Sequence, residues 1–192
     1  MNSRRTLRTH LKEGCLYRRS DVGQWSKSPD RHLAELVKEG TLEKLSPGLY
    51  YYPKQSVFGK TPPDEVKLVR SFLKDDRFLI TSPNVYNGLG VGTTQLYNQR
   101  VVYNHKRHGE FVLGKQRFLF RIKPNFPNKL TEEFLLVDLL NNIELIAEDK
   151  ATILQSARSK ALSMDQKKLA RAVKEYGGVR AKKFFHPVLK KT

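Results

Sequence analysis

The chain has 192 residues, of which 39% are hydrophobic and 10% aromatic, enough for one or two globular domains with true cores. Its 36 lysine and arginine residues against 19 acidic residues give a formal net charge of +17. No segment approaches the roughly 20 apolar residues of a membrane span, no secretory signal is visible, and the single cysteine cannot form an internal disulfide or seed a zinc site. We therefore expect a cytoplasmic protein with no membrane partner.

The basic excess is unevenly distributed along the chain. Residues 150–192 contain 12 basic and 2 acidic side chains, whereas residues 1–53 contain 10 basic and 6 acidic ones. Such an excess favours a polyanionic partner, because lysine and arginine neutralise phosphates and release their counterions. A lysine-rich helix can equally be a solvated face, so charge alone does not decide between nucleic-acid binding and a bare surface.

The first predicted helix has a possible cap at Asn2 or Ser3, runs to about Glu13 and ends at Gly14. A short second helix is predicted to start at position 20 or 21. Both predictions depend on cap and stop residues, which act within one helical turn.

The third predicted helix has the clearest boundaries in the chain. Ser28 is its N-cap, Pro29 takes the first helical position, and Gly40 is its stop. Its apolar stripe at helical spacing consists of Leu33, Leu36 and Val37.

A two-stranded ribbon follows the third helix. Residues 42–45 and 49–52 form its strands, and the turn between them is Ser46-Pro47-Gly48. Three helices followed by a ribbon is the order of a winged helix-turn-helix, which we predict over residues 1–53.

A winged helix can present the start of its third helix to the major groove while the apolar stripe is held in the core. Helix N-termini attract phosphate, and basic residues beside the helices and on the ribbon can contact the DNA backbone. The candidate contacts to double-stranded DNA are Arg18, Arg19, Lys27, Ser28, Arg31, His32, Lys44 and Ser46. The alternative is a wing that binds only protein, since several acidic residues make this face less basic than most.

Pro53 and the segment 58–63 break the chain, and we predict a second, α+β domain over residues 63–192. Pro63 opens a helix to about Lys74 with four inward apolar positions: Val66, Val69, Phe72 and Leu73. A short strand at 78–80 precedes another helix that starts at Ser82-Pro83.

Three antiparallel strands are predicted next, at 100–104, 110–113 and 117–122. Helices at about 131–141, 149–160 and 165–176 follow, before Gly177-Gly178 and a basic end. The fold class is therefore α+β: a winged helix-turn-helix, then a small antiparallel sheet and C-terminal helices.

Four basic residues of the second domain are further candidates for phosphate contact, with solvated surface as the equal alternative. They are Lys106 and Arg107 in a predicted hairpin, and Lys182 and Lys183 near the C-terminus.

The sequence contains no recognisable catalytic constellation. The glycines at 88, 90 and 92 lack the third spacing and the distant acidic residue of a dinucleotide site, and His105 and His108 have no nearby ligand partner. Glu132, Glu133 and Asp138 are predicted at the start of a helix, where acidic residues interact favourably with the helix dipole. We therefore favour helix stabilisation over a catalytic pair of carboxylates for these residues. We expect no catalytic residue, no metal and no cofactor, and hence a protein that is not an enzyme.

The run VKEGTLEKLSPGLYYYP at 37–53 resembles the N-terminal wing of AbiEi-type antitoxins, which belong to type IV, abortive-infection toxin–antitoxin systems. The resemblance continues in SPNVYNGLGVGTTQ at 82–95 and in Val101-Val102-Tyr103. Membership would imply a repressor that binds the operator DNA of its own operon. It would also imply a nucleotidyltransferase-like toxin encoded beside it, opposed without a required stable complex.

The unusually basic C-terminus departs from that family pattern and leaves two rival functions open. One is an RNA-binding protein whose principal platform is the C-terminal helices. The other is an enzyme or a protein-interaction scaffold with an appended wing. The sequence does not specify an oligomeric state.

Overall fold

The computed structural model describes residues 3–190, and the side chains of residues 7–190. The cap predicted at Asn2 or Ser3 lies outside these side chains. The chain folds into two compact units: unit 1 comprises Met1–Arg77 and Gly109–Phe118, and unit 2 comprises Phe78–His108 and Leu119–Thr192. The predicted domain boundary lies between residues 53 and 63, whereas unit 1 continues to Arg77.

Unit 1 begins with three helices and three strands. The elements in chain order are α1 (Ser3–His10), β1 (Leu16–Arg18), α2 (Arg19–Gly23), α3 (Pro29–Lys38), β2 (Glu43–Ser46) and β3 (Leu49–Tyr51). The strands form an antiparallel sheet in the order β1-β3-β2. This is the winged helix-turn-helix order, so the fold predicted for the start of the chain is confirmed.

Strand β1 was not predicted from the sequence. It is only three residues long, and its partner lies more than thirty residues away: Leu16 pairs with Tyr51, and Arg18 pairs with Leu49. A segment this short carries too little alternation to be distinguished from a loop. Its pairing closes the sheet against the helices through the buried side chain of Tyr17.

The core of unit 1 forms where the apolar faces of the three helices meet. Leu7, Val22, Leu33 and Leu36 are completely buried there. Leu33 and Leu36 belong to the predicted stripe of α3, and Val37 packs beside them. Helix α1 is shorter than predicted, since it ends at His10 rather than at about Glu13.

The remainder of unit 1 contains a small hairpin, β4 (Gln55–Ser56) with β5 (Gly59–Lys60), and the helix α4 (Glu65–Leu73). Leu68, Val69 and Leu73 of α4 are buried, but Val66 is 46% exposed, so its predicted inward position is wrong. Val66 lies in the first turn of α4, before the buried positions begin at Leu68.

The segment 109–118 joins unit 1 through the wing. The Gly114 N–H donates to the Leu45 carbonyl at 2.8 Å. Gly114 has a φ of +65°, and a Cβ there would lie 2.8 Å from the Leu45 side chain. Glycine is therefore required at this turn for both its backbone conformation and its close approach.

Four strands follow α4 in the chain: β6 (Phe78–Thr81), β7 (Arg100–Asn104), β8 (Gly109–Leu113) and β9 (Gln116–Ile122). Strands β6 and β7 belong to unit 2, β8 belongs to unit 1, and β9 begins in unit 1 and ends in unit 2. The order in the sheet is β6-β7-β9-β8. The helix predicted at Ser82-Pro83 is a 3-10 helix, Pro83–Leu89.

Helices complete unit 2: α5 (Glu132–Asn141), a 3-10 turn (Ile143–Leu145), α6 (Lys150–Ser163), α7 (Gln166–Tyr176) and α8 (Val179–Leu189). Their apolar faces form one large core with the residues before β7. Thr131, Asp149 and Asp165 each accept a backbone N–H as N-caps of α5, α6 and α7.

Helix α8 replaces the basic end that the sequence predicted after Gly177-Gly178. Ala181, Phe185 and Val188 form its buried stripe and belong to the core of unit 2. The basic residues between them are exposed, so the composition of the segment is similar to that of an unstructured basic tail. In the described part of the chain, no helix is both long enough and apolar enough to cross a membrane.

Candidate nucleic-acid interface

The start of α3 presents three of the predicted DNA contacts to solvent. Lys27, Ser28 and Arg31 are exposed, while Leu33 and Leu36 anchor the opposite side of the helix in the core. Pro29 begins the helix, as predicted, so the first-turn N–H groups after it point out of the N-terminus. This end of α3 therefore combines free backbone donors with two exposed cations.

Ser28 occupies the N-cap position but does not cap the helix with its hydroxyl. Its backbone N–H instead donates to Ser26 Oγ at 3.1 Å. The buried Ser26 side chain thus holds the backbone before α3 and leaves the Ser28 side chain exposed.

His32 was named among the candidate DNA contacts, but it lacks the exposure that such a contact requires. Its side chain is only 3% exposed, and its Nδ1 shares a hydrogen bond of 2.7 Å with Ser26 Oγ. The imidazole fills the space under the N-terminal turn of α3 because Ser26 supplies its polar partner there. His32 supports the helix and does not face a ligand.

Arg19 is paired with an acidic residue of α3. Its guanidinium donates to both carboxylate oxygens of Asp30, with Nε–Oδ1 and Nη2–Oδ2 distances of 2.5 Å. The hydrogen bond from Arg19 lowers the pKa of the Asp30 carboxyl, and the same bond raises the pKa of Arg19. Arg19 therefore lies at the predicted face, but its charge is offset in the free protein.

The Arg18 side chain is less accessible to solvent than expected for a residue that contacts a phosphate. Its side chain is half-buried, and its Nε donates to the Ser71 carbonyl of α4 at 2.9 Å. Its backbone N–H donates to the Asp21 side chain at 2.8 Å. The residue thus ties β1 to α2 and α4.

The wing places Lys44 in solvent and Ser46 in a half-buried position. The pairing of β2 with β3 shifts register between these two residues, which marks a bulge in the wing. The carbonyl of Gly48, at the wing turn, accepts the Arg19 N–H at 3.0 Å. The wing turn therefore lies beside the start of α2.

Two further ion pairs in unit 1 offset basic side chains of α1 and α3. Arg31 lies 3.8 Å from Glu35 in an exposed pair at i, i+4 spacing, and Arg8 pairs with Glu39. Exposed ion pairs of this kind are weak, so Arg31 can exchange Glu35 for a phosphate or a base edge.

The predicted phosphate contacts of unit 2 are all exposed. Lys106 and Arg107 lie on the loop after β7, where the buried Asn104 side chain accepts both of their backbone N–H groups at 2.8 and 2.7 Å. Lys182 and Lys183 lie on α8. The roles assigned to them remain predictions.

A buried polar cluster in unit 2 was not recognised from the sequence. Asp138 is completely buried and accepts hydrogen bonds from Tyr86 at 2.8 Å, from Tyr103 at 2.8 Å and from Lys123 at 2.7 Å. Asn142 donates to both phenol oxygens. Burial, followed by the Asp138 charge, raises the pKa of Tyr86 and of Tyr103.

The position of Asp138 corrects its interpretation as an acidic residue at a helix start. It lies in the second half of α5, where its carboxylate accepts from side chains of the 3-10 helix, of β7 and of the residue after β9. Its oxygens are fully used by protein donors, which indicates a structural network. Across the described residues, no group of three or more His, Cys, Asp or Glu side chains is arranged to hold a metal ion.

The fold and the exposed start of α3 define unit 1 as a winged helix-turn-helix. No protein-family profile matches the sequence, and the search of curated proteins also finds no match. Among solved structures, the chain is similar to the crystal structure of the Rv2827c protein from Mycobacterium tuberculosis. The TM-score is 0.57 at 14% identity, and the alignment covers 98% of this chain and 74% of that chain. At this identity the similarity concerns the fold.

Proposed function

We propose that this protein is a transcriptional repressor that binds double-stranded operator DNA through unit 1. In this proposal it is the antitoxin of a type IV toxin–antitoxin pair and represses its own operon. Its functional partner is a nucleotidyltransferase-like toxin encoded beside it, and both act in the cytoplasm. The protein itself has no catalytic role and needs no cofactor.

The observation that carries the proposal is the exposed start of α3. Lys27, Ser28 and Arg31 surround a helix N-terminus whose other face is fixed in the core, and Lys44 extends from the wing. A recognition helix needs this combination, because base contacts demand a rigid helix and phosphate contacts demand nearby cations.

Two further observations support the antitoxin part of the proposal. The segments 37–53 and 82–95 resemble AbiEi-type antitoxins. The first segment forms the wing, and two of the candidate DNA contacts, Lys44 and Ser46, lie in it.

The test is binding to the DNA upstream of the native operon, measured by fluorescence anisotropy against a scrambled duplex of equal length. We expect the double variant Lys27→Ala, Arg31→Ala to lose about 10- to 100-fold in operator affinity, and much less on the scrambled duplex. Lys67→Ala on α4 removes an exposed charge of the same unit away from α3 and serves as the control.

Equal losses of affinity on the operator and on the scrambled duplex would contradict the proposal that α3 recognises the base sequence. Preference for structured RNA over the operator, without loss in the Arg31 variant, would support the RNA-binding alternative instead. Inspection of the neighbouring genes for a nucleotidyltransferase-like protein tests the toxin partner separately.

A further inference from the structure

Unit 2 contains an open groove between α6 and α8, which we call the α6–α8 groove. Its volume is about 340 Å³, and its floor is apolar: Leu140 from α5, Ile143 from the 3-10 turn, Leu154 from α6 and Phe184 from α8. A cavity of about 150 Å³ accommodates a benzene ring, so the groove has room for about two large side chains.

Three cations and one carboxylate form the rim of the groove. Glu144 pairs with Lys150, and Arg180 Nη1 lies 2.8 Å from the other oxygen of the same carboxylate. The hydrogen bond from Lys150 lowers the pKa of Glu144, so this acid is ionised and its charge is balanced. Lys183 is exposed, and the rim as a whole carries an excess of positive charge.

We propose that the α6–α8 groove docks an acidic amphipathic helix of a protein partner. The apolar floor would bury the apolar face of such a helix, and the basic rim would face its carboxylates. Helix-in-groove recognition uses this division between apolar anchors and flanking charges. The proposal does not rest on operator binding, since the groove lies in unit 2 and α3 lies in unit 1.

The floor of the groove is poorly suited to a nucleic acid. Phe184 is its one aromatic ring, and the Arg158 guanidinium carbon lies 5.6 Å from the centroid of that ring. Phe185 packs perpendicular to the same ring at 5.0 Å. Base recognition on single strands depends on open stacking surfaces, which these contacts restrict.

The exposed hairpin tip of unit 1 does not match the groove of a second copy. Val57 and Phe58 are 98% and 99% exposed at the turn between β4 and β5. They are flanked by Lys54 and Lys60, which would meet a basic rim. Like charges across an interface oppose association, so charge favours an acidic occupant.

The test uses the full chain and a synthetic amphipathic helix with leucines at i, i+3, i+4 and i+7 on one face and glutamates on the other. Binding is followed by fluorescence anisotropy of the labelled peptide. We expect saturable binding that weakens at least about tenfold when the leucines become serines and is lost when the glutamates become lysines.

Two lysine variants on α8 locate the binding site. Lys183→Glu should weaken binding about fivefold, because Lys183 lines the groove. Lys182→Glu makes the same charge change at the neighbouring exposed position and should alter binding less than about twofold.

Several outcomes would overturn the proposal. These are no binding of the glutamate peptide, equal binding of the serine version, or equal losses for the two lysine variants. Displacement of the peptide by single-stranded RNA with the same Lys183 dependence would identify a nucleic-acid site. A dimer of the free protein that Lys183→Glu dissociates would identify a second copy as the occupant.

Discussion

Arg19 and Asp30 form a bidentate ion pair that joins the start of α2 to the first turn of α3, with both N–O distances at 2.5 Å. The two side chains remain 55% and 67% exposed, so the pair contributes little to stability. The pair matters for electrostatics, because Asp30 offsets the charge of Arg19 beside the start of α3, where DNA is proposed to bind. The pair therefore reduces the positive charge that is available to bind DNA.

Asp30→Asn should tighten DNA binding. The substitution frees Arg19 for a phosphate and removes a negative charge from the interface. We expect a gain of about three- to tenfold in affinity at low salt, and a salt dependence steeper by about one released counterion. Anisotropy titrations at several salt concentrations measure both quantities.

Arg70 and Asp76 provide the matched control, since they form a similar exposed ion pair at 2.6 Å elsewhere in unit 1. Asp76→Asn should leave DNA affinity within about twofold of the wild type. If Asp30→Asn and Asp76→Asn raise affinity equally, net charge and not the position of Arg19 controls binding.

His32→Ala should destabilise unit 1. The substitution leaves a cavity under α3 and removes the partner of the buried Ser26 hydroxyl, at a cost of about 2–4 kcal/mol in the free energy of unfolding. Urea denaturation followed by circular dichroism measures this loss. His186→Ala, at an exposed position of α8, should change stability by less than about 0.5 kcal/mol. Loss of operator preference at unchanged stability would show instead that His32 contacts DNA.

Asp138→Asn should destabilise unit 2 strongly. Asparagine cannot accept from all the donors around Asp138, and it leaves the Lys123 ammonium without its counter-charge. We expect a loss of about 3–5 kcal/mol in the free energy of unfolding, measured by urea denaturation. Asp165→Asn retains an N-cap side chain on α7 and should cost far less. Similar losses in both variants would mean that the cluster contributes nothing beyond one ordinary hydrogen bond.

Glu148 should make the stability of unit 2 depend on pH. Burial tends to raise the pKa of its carboxyl, but hydrogen bonds from the Gln95 N–H, the Tyr97 hydroxyl and the Thr94 N–H outweigh burial and lower the pKa to about 2. A folded-state pKa below the ordinary 4.5 means that the stabilisation is complete above that pH and is lost as the pH falls towards 2.

Glu148→Gln should therefore lower the melting temperature by a few degrees at pH 7, and the difference from the wild type should shrink between pH 4.5 and 2. Glu133→Gln in the first turn of α5 is the control and should show a smaller and flatter difference. A difference of constant size across this pH range would contradict the prediction.

Elements with strong local signals could be predicted from the sequence. Helix α3 begins at Pro29 as expected, because an N-cap position, a proline and a stop glycine all act within a turn of the helix end. The ribbon and the strands β7, β8 and β9 were likewise predicted, since turn residues separate alternating segments. Of the candidate DNA contacts, Lys27 and Arg31 are exposed as expected.

Features that depend on contacts outside one secondary-structure element could not be predicted. The burial of His32 depends on Ser26 Oγ, and the role of Asp138 depends on tyrosines 35 and 52 residues earlier in the chain. Helix α8 was missed because its buried stripe is sparse among exposed basic residues. No residue pattern within one element reveals such contacts.

The sequence by itself determined the α+β class, the winged helix-turn-helix order and the start of α3, since capping, turn chemistry and apolar periodicity act over a few neighbouring residues. The tertiary structure decided which cations of that helix and its surroundings are available. It buried His32, tied Arg18 to the Ser71 carbonyl and paired Arg19 with Asp30. Burial and ion pairing depend on distances between side chains that belong to different elements, and those distances are set only when the chain folds.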